Sequence, residues 1–272
     1  MALTNIQRAI CRLIADHRIA SGESYVAGGV ALNELIGAPR VSRDVDLFHD
    51  TDEALVRTWD SDRKLLESGG YALRTLRERP GFVEAELSKD GETCLVQWLR
   101  DSSFRFFPLV RHDDLGLTLH PFDLATNKVL ALVGRVEVRD WIDAIECDER
   151  LQPFGYLAWA ACGKDPGFSP ASIVEHAAAT TRYSAAEVGA LAFAGTPPDA
   201  AVLSRRWHQM LDAARDLIHR LPAEHVGTCL LTLEGDLCRA EPAEASALLS
   251  AGRVRFHEGS IRGALPQLKG HT

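Results

Sequence analysis

The stretch YVAGGVALNELIGAPRVSRDVDLFHD, residues 25–50, is the most informative part of this chain. Two glycines, Gly28 and Gly29, end a short apolar run, and two aspartates, Asp44 and Asp46, interrupt the next one. Alternate residues of a β-strand point to the same face, so a strand here would project the two carboxylates side by side. Charge placed on an otherwise apolar strand needs a partner, and a metal ion is the obvious one.

The pattern around this stretch predicts an α+β chain. We predict a helix over residues 31–36 and a strand over residues 41–48, followed by alternating segments typical of strands at 71–78, 82–89 and 93–100. Asp90-Gly91 is the turn signal of a hairpin.

We place a domain boundary at the Gly- and Pro-rich segment 163–170. Residues 1–162 are predicted to form an N-terminal α+β core domain with a small mixed sheet. Residues 163–272 are predicted to form a helical domain, with helical periodicity over 207–218 and 230–249.

Composition excludes several classes of protein. The chain has 272 residues, a net charge of −8 and a pI near 5.7, so no global basic field attracts nucleic acid or anionic membrane. No apolar run reaches the ~20 residues of a membrane helix, and the amphipathic N-terminus does not resemble a signal peptide. Six scattered cysteines without a CxxC pair indicate reduced thiols, so we expect a cytoplasmic protein without a membrane partner.

The paired carboxylates and the diglycine together suggest a nucleotide site. Hard oxygen ligands suit Mg²⁺ (or Mn²⁺), which proteins usually hold with one or two carboxylates plus substrate phosphates. Gly28 and Gly29 lack Cβ atoms, and the N-terminus of the helix that follows favours anions, so a triphosphate can approach the backbone. We therefore predict Asp44 and Asp46 as metal ligands and an NTP as the co-substrate.

Each motif also has a purely structural explanation. A diglycine alone is more often a tight turn than a phosphate site, and a pair of aspartates is often solvated on a loop. Their occurrence together, with the aspartates between Val41 and Phe48, favours the functional interpretation.

The sequence resembles a known family at two places. The first is GGVALNEL followed by RVSRDVDLF, and the second is DLATNKVLALVGRVEVRDWIDAI. Both are similar to the AbiEii/AbiGii-type (MenT-like) nucleotidyltransferase toxins, which are relatives of the DNA polymerase β-like superfamily. The matched positions are Arg40, Ser42, Asp44, Asp46, Leu47 and Phe48 in the first block, and Lys128, Arg135, Arg139, Asp140 and Asp143 in the second.

The resemblance implies a role for each matched site residue. It implies catalytic Asp44, Asp46, Lys128 and Asp140, and nucleotide binding by Gly28, Gly29, Arg40, Ser42, Lys128, Arg135 and Arg139. From the residues alone, Lys128 is a point cation suited to phosphate, whereas Arg139 and Asp143 form an i,i+4 pair that often only decorates a helix. We expect Gly134 to interrupt the helix between Lys128 and Arg135.

One departure from the superfamily pattern is visible. Such enzymes usually present a third carboxylate from a later strand, and the centre of the candidate strand here is the amide Gln97. Glu84 and Glu86 on the preceding strand are candidate substitutes, although a solvent-facing strand explains them equally well. The toxin-like branch is similar in often lacking that acid, so that either Asp140 substitutes for it or catalysis runs mainly on one metal.

We therefore expect a Mg²⁺-dependent nucleotidyltransferase that moves a nucleoside monophosphate from an NTP to an acceptor hydroxyl. By resemblance, the acceptor is the 3′ end of tRNA, and the chain is the toxin of an abortive-infection-like pair with a cognate antitoxin protein. Two alternatives stay open: transfer to a small molecule or a protein, and a non-catalytic remnant of a nucleotide site that acts as a binding module.

Overall fold

The computed structural model of the chain describes residues 3–180 and 183–267. The helices are α1 (Asn5–Ser21), α2 (Gly28–Ile36), α3 (Asp52–Ser68), α4 (Pro121–Arg135), α5 (Val138–Arg150), α6 (Phe154–Ala161), α7 (Pro170–Thr180), α8 (Ala185–Gly189), α9 (Ala200–Arg220) and α10 (Pro242–Ser250). The strands are β1 (Ser24–Ala27), β2 (Asp44–His49), β3 (Ala72–Arg79), β4 (Phe82–Lys89), β5 (Glu92–Arg100), β6 (Phe104–Arg105), β7 (Val110–His112), β8 (Gly116–Thr118), β9 (Cys229–Thr232), β10 (Val254–His257) and β11 (Ser260–Ile261).

The chain divides into two compact units, and the division differs from the predicted boundary at 162/163. Unit 1 consists of the described residues up to 103 together with 109–120 and 192–194, and unit 2 contains the other described residues. Helix α4 belongs to unit 2, where it packs against α5, α6 and α7. The Gly- and Pro-rich segment 163–170 is a loop that joins α6 to α7 inside unit 2.

Unit 1 is built on a seven-stranded mixed sheet, which confirms the predicted α+β class. Its strand order is β3-β4-β5-β2-β1-β8-β7. The pairs β2–β5 and β1–β8 are parallel and the other neighbours are antiparallel. The predicted Asp90-Gly91 hairpin turn joins β4 to β5, with both residues at positive φ (52° and 83°).

One face of this sheet is covered by α1 and α3. On β2, Val45, Leu47 and His49 are fully buried, whereas the residues between them are only half-buried. His49 contacts Thr58 of α3, so this buried row faces the helices. Alternation then places Asp44 and Asp46 on the opposite face, which we call the carboxylate face.

The pKa of His49 makes a prediction about stability. Burial is the main cause that lowers the pKa of His49 from 6.5 to about 4, although its hydrogen bond with the Leu99 carbonyl opposes this change. The unfolded chain binds a proton as the pH falls through 6.5, whereas the folded chain stays neutral until about pH 4. We therefore expect up to about 3 kcal/mol of stability to be lost as the pH falls through this window.

Urea unfolding of the wild type and of His49→Gln between pH 7.5 and pH 4 measures this effect. The variant should lose the part of the pH dependence that His49 causes, whereas His176→Gln, at an exposed position on α7, should retain it. An unchanged pH dependence in His49→Gln would contradict the assignment.

Unit 2 is mainly helical but also contains strands that the sequence did not predict. Helix α9 packs against α6, α7 and α10. A core cluster joins α6, α9 and α10 to an antiparallel pair, β9 with β10, and includes Tyr156, Trp159, Leu217 and Leu230. Residues 230–249 were predicted as helical, but only the part from Pro242 onwards is, because the start of that segment pairs with β10.

Other element boundaries also differ from the prediction. Helix α2 begins at Gly28 rather than Ala31, and β2 begins at Asp44 rather than Val41. All six cysteines are buried free thiols, as the sequence predicted. None of the helices in the described part of the chain is long and apolar enough to cross a lipid bilayer.

Candidate active site

Gly28 sits against the carboxylate of Asp46. Strand β1 pairs with β2 so that Ala27 lies opposite Asp46, and the chain turns into α2 at the next residue. Gly28 has a φ of 65°, and a Cβ atom built on it would overlap Oδ2 of Asp46. Only glycine satisfies both conditions without strain. The Asp46 side chain therefore rests on the first residue of α2.

Gly29 has a similar relation to Arg40 and Ser42. A Cβ atom built on Gly29 would lie 2.5 Å from Nη2 of Arg40 and 3.0 Å from Oγ of Ser42. Both side chains belong to residues that are almost completely buried, with 3% and 4% exposure. The segment that carries them is anchored to Ala192 and Ala194 by backbone hydrogen bonds within unit 1. The diglycine thus provides room for two side chains as well as for a turn.

A hydrogen bond connects this cluster to the first aspartate. Ser42 lies before β2 rather than on it, yet its hydroxyl donates to Oδ1 of Asp44 at 2.9 Å. The amide of Gln7, on α1, donates to the Ser42 carbonyl at 2.8 Å and is itself buried. Gln7 was not singled out in the sequence. The available signal was a polar residue on the apolar face of the amphipathic helix α1.

The third carboxylate of the superfamily pattern has no equivalent next to Asp46. In the sheet register Asp46 pairs with Gln97, which pairs with Glu84 on β4. Gln97 donates a hydrogen bond of 2.8 Å to Glu84, which also pairs with Arg77. Glu84 lies two strands from Asp46, roughly 10 Å at the usual strand spacing. At that distance Glu84 does not share an ion with Asp46. The residue next to Asp46, where the superfamily pattern has its third carboxylate, is the amide Gln97.

The donor set of this cluster fits a divalent cation that arrives with a nucleotide. Within residues 3–180 and 183–267 no group of three or more His, Cys, Asp or Glu side chains is placed to hold a metal. Two adjacent carboxylates without a third are what Mg²⁺ uses when substrate phosphates supply further oxygens. The backbone N–H groups at the start of α2 have no side-chain cap and lie beside Asp46.

The second block of the sequence forms a separate cluster in unit 2. Lys128 Nζ lies 2.9 Å from Oδ1 of Asp140 and 3.1 Å from Oδ2 of Asp143. Arg135 binds Asp140 with two nitrogens, at 2.6 and 2.9 Å. Both aspartates are fully buried and Lys128 is 6% exposed, whereas the Arg135 side chain is 45% exposed. The charges of this cluster balance.

Gly134 does not interrupt α4, contrary to the prediction. The helix continues to Arg135, and the chain turns at Val136, which has a φ of 52°. A β-branched residue at positive φ is strained, and such strain persists only where the surroundings hold it. The short turn lets α5 begin at Val138, from which Asp140 reaches back to Arg135.

Asp140 has the environment of a positioning residue rather than that of an exposed base. Burial would raise the pKa of Asp140, but the hydrogen bonds from Arg135 and the charge of Lys128 outweigh it and hold the pKa below its ordinary value. Its two oxygens accept from both cations. Arg139 pairs with Glu137 at 2.6 Å, and Asp143 with Lys128. The decorative Arg139–Asp143 pair considered from the sequence is therefore not what positions Asp143.

Removing the negative charge of Asp140 should destabilise the folded chain. Asp140→Asn leaves two cations with reduced compensation in a buried site, so we expect the free energy of unfolding to fall by about 3 kcal/mol. Urea unfolding at neutral pH measures the change. Asp212→Asn is the matched control, because Asp212 is 78% exposed and pairs with Arg215 at the surface. Equal effects of the two substitutions would contradict the assigned role.

The structure thus brings the predicted site residues together in two groups. Gly28, Gly29, Arg40, Ser42, Asp44 and Asp46 form one cluster in unit 1, and Lys128, Arg135, Asp140 and Asp143 form the other in unit 2, with Arg139 next to Asp140 in sequence. Their roles in catalysis and binding remain predictions.

Comparison with known proteins supports the fold. No protein-family model matches the chain, and no curated protein is significantly similar to it in sequence. Solved structures share its fold, among them one protein from Helicobacter pylori and one from Mycobacterium tuberculosis. JHP933 from Helicobacter pylori is 13% identical, with a TM-score of 0.51 over 80% of this chain and 95% of its own. MenT4, a nucleotidyltransferase toxin from Mycobacterium tuberculosis H37Rv, is 17% identical, with a TM-score of 0.50 over 80% of this chain and 84% of its own. The chain therefore has a MenT-like nucleotidyltransferase fold.

Proposed function

We propose that this chain, which has a nucleotidyltransferase fold, transfers a nucleoside monophosphate from an NTP to an acceptor hydroxyl. The observation that carries the proposal is the contact of Gly28 with Asp46, which places that carboxylate beside the start of a helix that has no side-chain N-cap, with Asp44 on the same strand face. The chemistry needs a divalent cation and a triphosphate at one point, and this arrangement suits both.

The residues of unit 1 have distinct roles in this proposal. Asp44 and Asp46 would hold the cation, and the backbone N–H groups of Gly28 and Gly29 would donate hydrogen bonds to phosphate oxygens. Ser42 fixes the Asp44 carboxylate through its hydrogen bond, and Arg40 packs over Gly29 to shape the turn. The bound cation supplies charge neutralisation and polarises the α-phosphate.

The reaction is an in-line displacement at the α-phosphorus. The acceptor oxygen forms a bond to phosphorus, the bond to the bridging oxygen of the β-phosphate breaks, and pyrophosphate leaves. The acceptor proton passes to solvent, because Gln97 occupies the place where a third carboxylate would act as base. Such chemistry asks the protein mainly for positioning and charge neutralisation.

For the cluster in unit 2 we propose that Lys128, Arg135 and Arg139 act on phosphate groups. Arg135 is the best exposed of the cations bound to Asp140, and a guanidinium suits phosphate geometry. Asp140 orients Lys128 and Arg135 through its hydrogen bonds with both cations.

We further propose that the acceptor is the 3′ end of tRNA and that the chain is a toxin with a cognate antitoxin protein. The resemblance of both sequence blocks to the toxin family supports both parts of this proposal, and the fold shared with a protein described as a nucleotidyltransferase toxin supports the toxin role. A cytoplasmic location follows from that substrate.

A labelling experiment tests the proposal. Purified protein is incubated with each of the four α-³²P-labelled NTPs, Mg²⁺ and total tRNA, with EDTA as the metal control. Label in tRNA that is lost with EDTA supports the proposal. Label in a protein or a small molecule would show that this molecule, and not tRNA, is the acceptor. No label in any fraction would favour the binding-module alternative.

Induced expression in a bacterial host tests the toxin role separately. We expect arrested growth with the wild type and normal growth with Asp46→Asn at equal protein levels. Arrest by both proteins would show that toxicity does not depend on transfer.

A further inference from the structure

The edge strand β3 contains an irregularity that changes which way its arginines point. The pairing of β3 with β4 shifts between Thr75 and Arg77, so Leu76 is an extra, bulged residue. In a regular strand Arg74 and Arg77 would point to opposite faces, because they are three residues apart. The bulge reverses this, and Arg74 pairs with Glu86 while Arg77 pairs with Glu84.

Three arginines consequently point to the carboxylate face. Glu84 lies in register with Gln97 and Asp46, and Glu86 with Leu95 and Asp44. Residues directly opposite one another share a face, so Arg74 and Arg77 continue the rows that contain the two aspartates. Arg79 pairs with Phe82 in the next row and shares this face as well.

An apolar row accompanies the charged ones. Phe82 pairs with Leu99, which pairs with Phe48 on β2, and all three are partly exposed. Phe48 is two residues from Asp46, so this row runs beside the carboxylates. The guanidinium of Arg79 lies 5.1 Å from the centre of the Phe82 ring. Arginine and aromatic side chains alternate in this way where proteins bind single-stranded nucleic acid.

The arginines are accessible and only loosely held. The side chains of Arg74 and Arg77 are 70% and 75% exposed, and their ion pairs with Glu86 and Glu84 measure 2.9 and 3.5 Å. Ion pairs at such exposed positions contribute little and exchange readily for phosphate. Within the described part of the chain, Arg79 contacts Phe82 and has no carboxylate partner.

We propose that this face, defined by Arg74, Arg77, Arg79, Phe82 and Phe48, binds the acceptor strand of a nucleic acid next to its reactive end. This rests on the proposed function and names the surface that guides the acceptor to Asp44 and Asp46. From β2 to β3 is three strand spacings, roughly 14 Å. That length spans about four phosphates of a stacked strand, at ~3.4 Å each.

A local basic surface of this kind can bind nucleic acid although the net charge of the chain is −8. Net charge affects long-range attraction, whereas the contacts that hold a strand are local and depend on salt. The three arginines bind phosphates, and bases of the strand stack on Phe82 and Phe48.

Binding of a fluorescein-labelled 12-nucleotide RNA ending in a 3′ hydroxyl, measured by anisotropy over a salt series, tests the proposal. The combined variant Arg74→Gln, Arg77→Gln and Arg79→Gln should bind at least about tenfold more weakly at low salt. Its slope of log K against log salt should be smaller by about 2, because each phosphate that an arginine no longer neutralises removes about 0.7 from the slope. Phe82→Leu should weaken binding about fivefold while leaving the slope unchanged.

Arg63→Gln is the matched control, because Arg63 is a 53% exposed arginine that pairs with Glu67 on α3. Loss of affinity and slope in the β3 variant but not in the control supports the proposal. It is overturned if the wild type does not bind the RNA, or if the β3 variant keeps the wild-type slope.

These outcomes are separable from the proposed function. Magnesium-dependent NTP binding is measured in the same variants and should be unchanged in the β3 variant. A wild type that binds NTP and transfers the nucleotide but does not bind RNA contradicts only the acceptor surface. A wild type that binds RNA through the arginines but never transfers contradicts only the enzyme assignment.

Discussion

Replacing Asp46 with asparagine is expected to eliminate nucleotide transfer while leaving the fold intact. The amide keeps the shape of the side chain but removes the negative charge that attracts a divalent cation. A catalytic cation contributes several kcal/mol to the transition state. Its loss corresponds to a decrease of at least about 10³-fold in rate. The rate of incorporation from a labelled NTP measures the effect, and Asp44→Asn should behave in the same way.

Stability distinguishes this result from simple unfolding. Asp44 and Asp46 are like charges on one strand face that repel one another without their cation, so Asp46→Asn should unfold at the same or a higher urea concentration than the wild type. Asp60→Asn, at an exposed position on α3, is the matched control and should retain full activity. Wild-type activity in Asp46→Asn would remove the basis of the metal site.

The second large effect is expected from Gly28→Ala. The new methyl group would overlap the Asp46 carboxylate. Alanine would also have to adopt the φ of 65° that glycine has at this position, which is unfavourable for a residue with a Cβ atom. Asp46 must then rotate away from Asp44 and from the start of α2. We expect at least about 100-fold loss of transfer, from misplacement of a ligand by an ångström or more. The strained backbone costs about 1–2 kcal/mol of stability.

Gly37→Ala separates the two causes, because Gly37 ends the same helix with a φ of 66° and has open space around its Cα. The two variants should lose similar stability, but only Gly28→Ala should lose activity and Mg²⁺-dependent NTP binding. If both variants lose activity equally, the contact of Gly28 with Asp46 is not what matters.

Much of this site could be predicted because the chemistry depends on short-range patterns. The alternation of DVDLF places both aspartates on one face, whichever strands lie beside it. The grouping of Arg40 and Ser42 with Gly29 depends on how the segment between α2 and β2 folds back. Ser42 was expected on the strand, yet it reaches Asp44 from the loop before it.

The features that sequence reasoning missed depend on tertiary contacts. Gln7 contacts the Ser42 carbonyl from a helix distant in sequence, and no local sequence pattern predicts that contact. The bulge at Leu76 is a property of the pairing of β3 with β4, so the regular alternation of the sequence assigned no common face to Arg74 and Arg77. Likewise, Gly134 has a low helix propensity, but packing of α4 overrides it.

The domain boundary was misplaced for a related reason. Gly and Pro in residues 163–170 indicate a loop, but they do not show whether that loop joins two domains or two helices of one domain. The answer lies in which surfaces the apolar residues of α4 contact, and these are helices α5, α6 and α7.

The central claim is that Asp44 and Asp46 hold a divalent cation together with an NTP at the start of α2. Anomalous scattering from crystals grown with Mn²⁺ and a non-hydrolysable NTP analogue tests it most directly. We predict a single strong peak within ~2.1 Å of an oxygen of each aspartate, with the triphosphate against Gly28 and Gly29. A bound analogue whose Mn²⁺ lies away from both carboxylates would contradict the account.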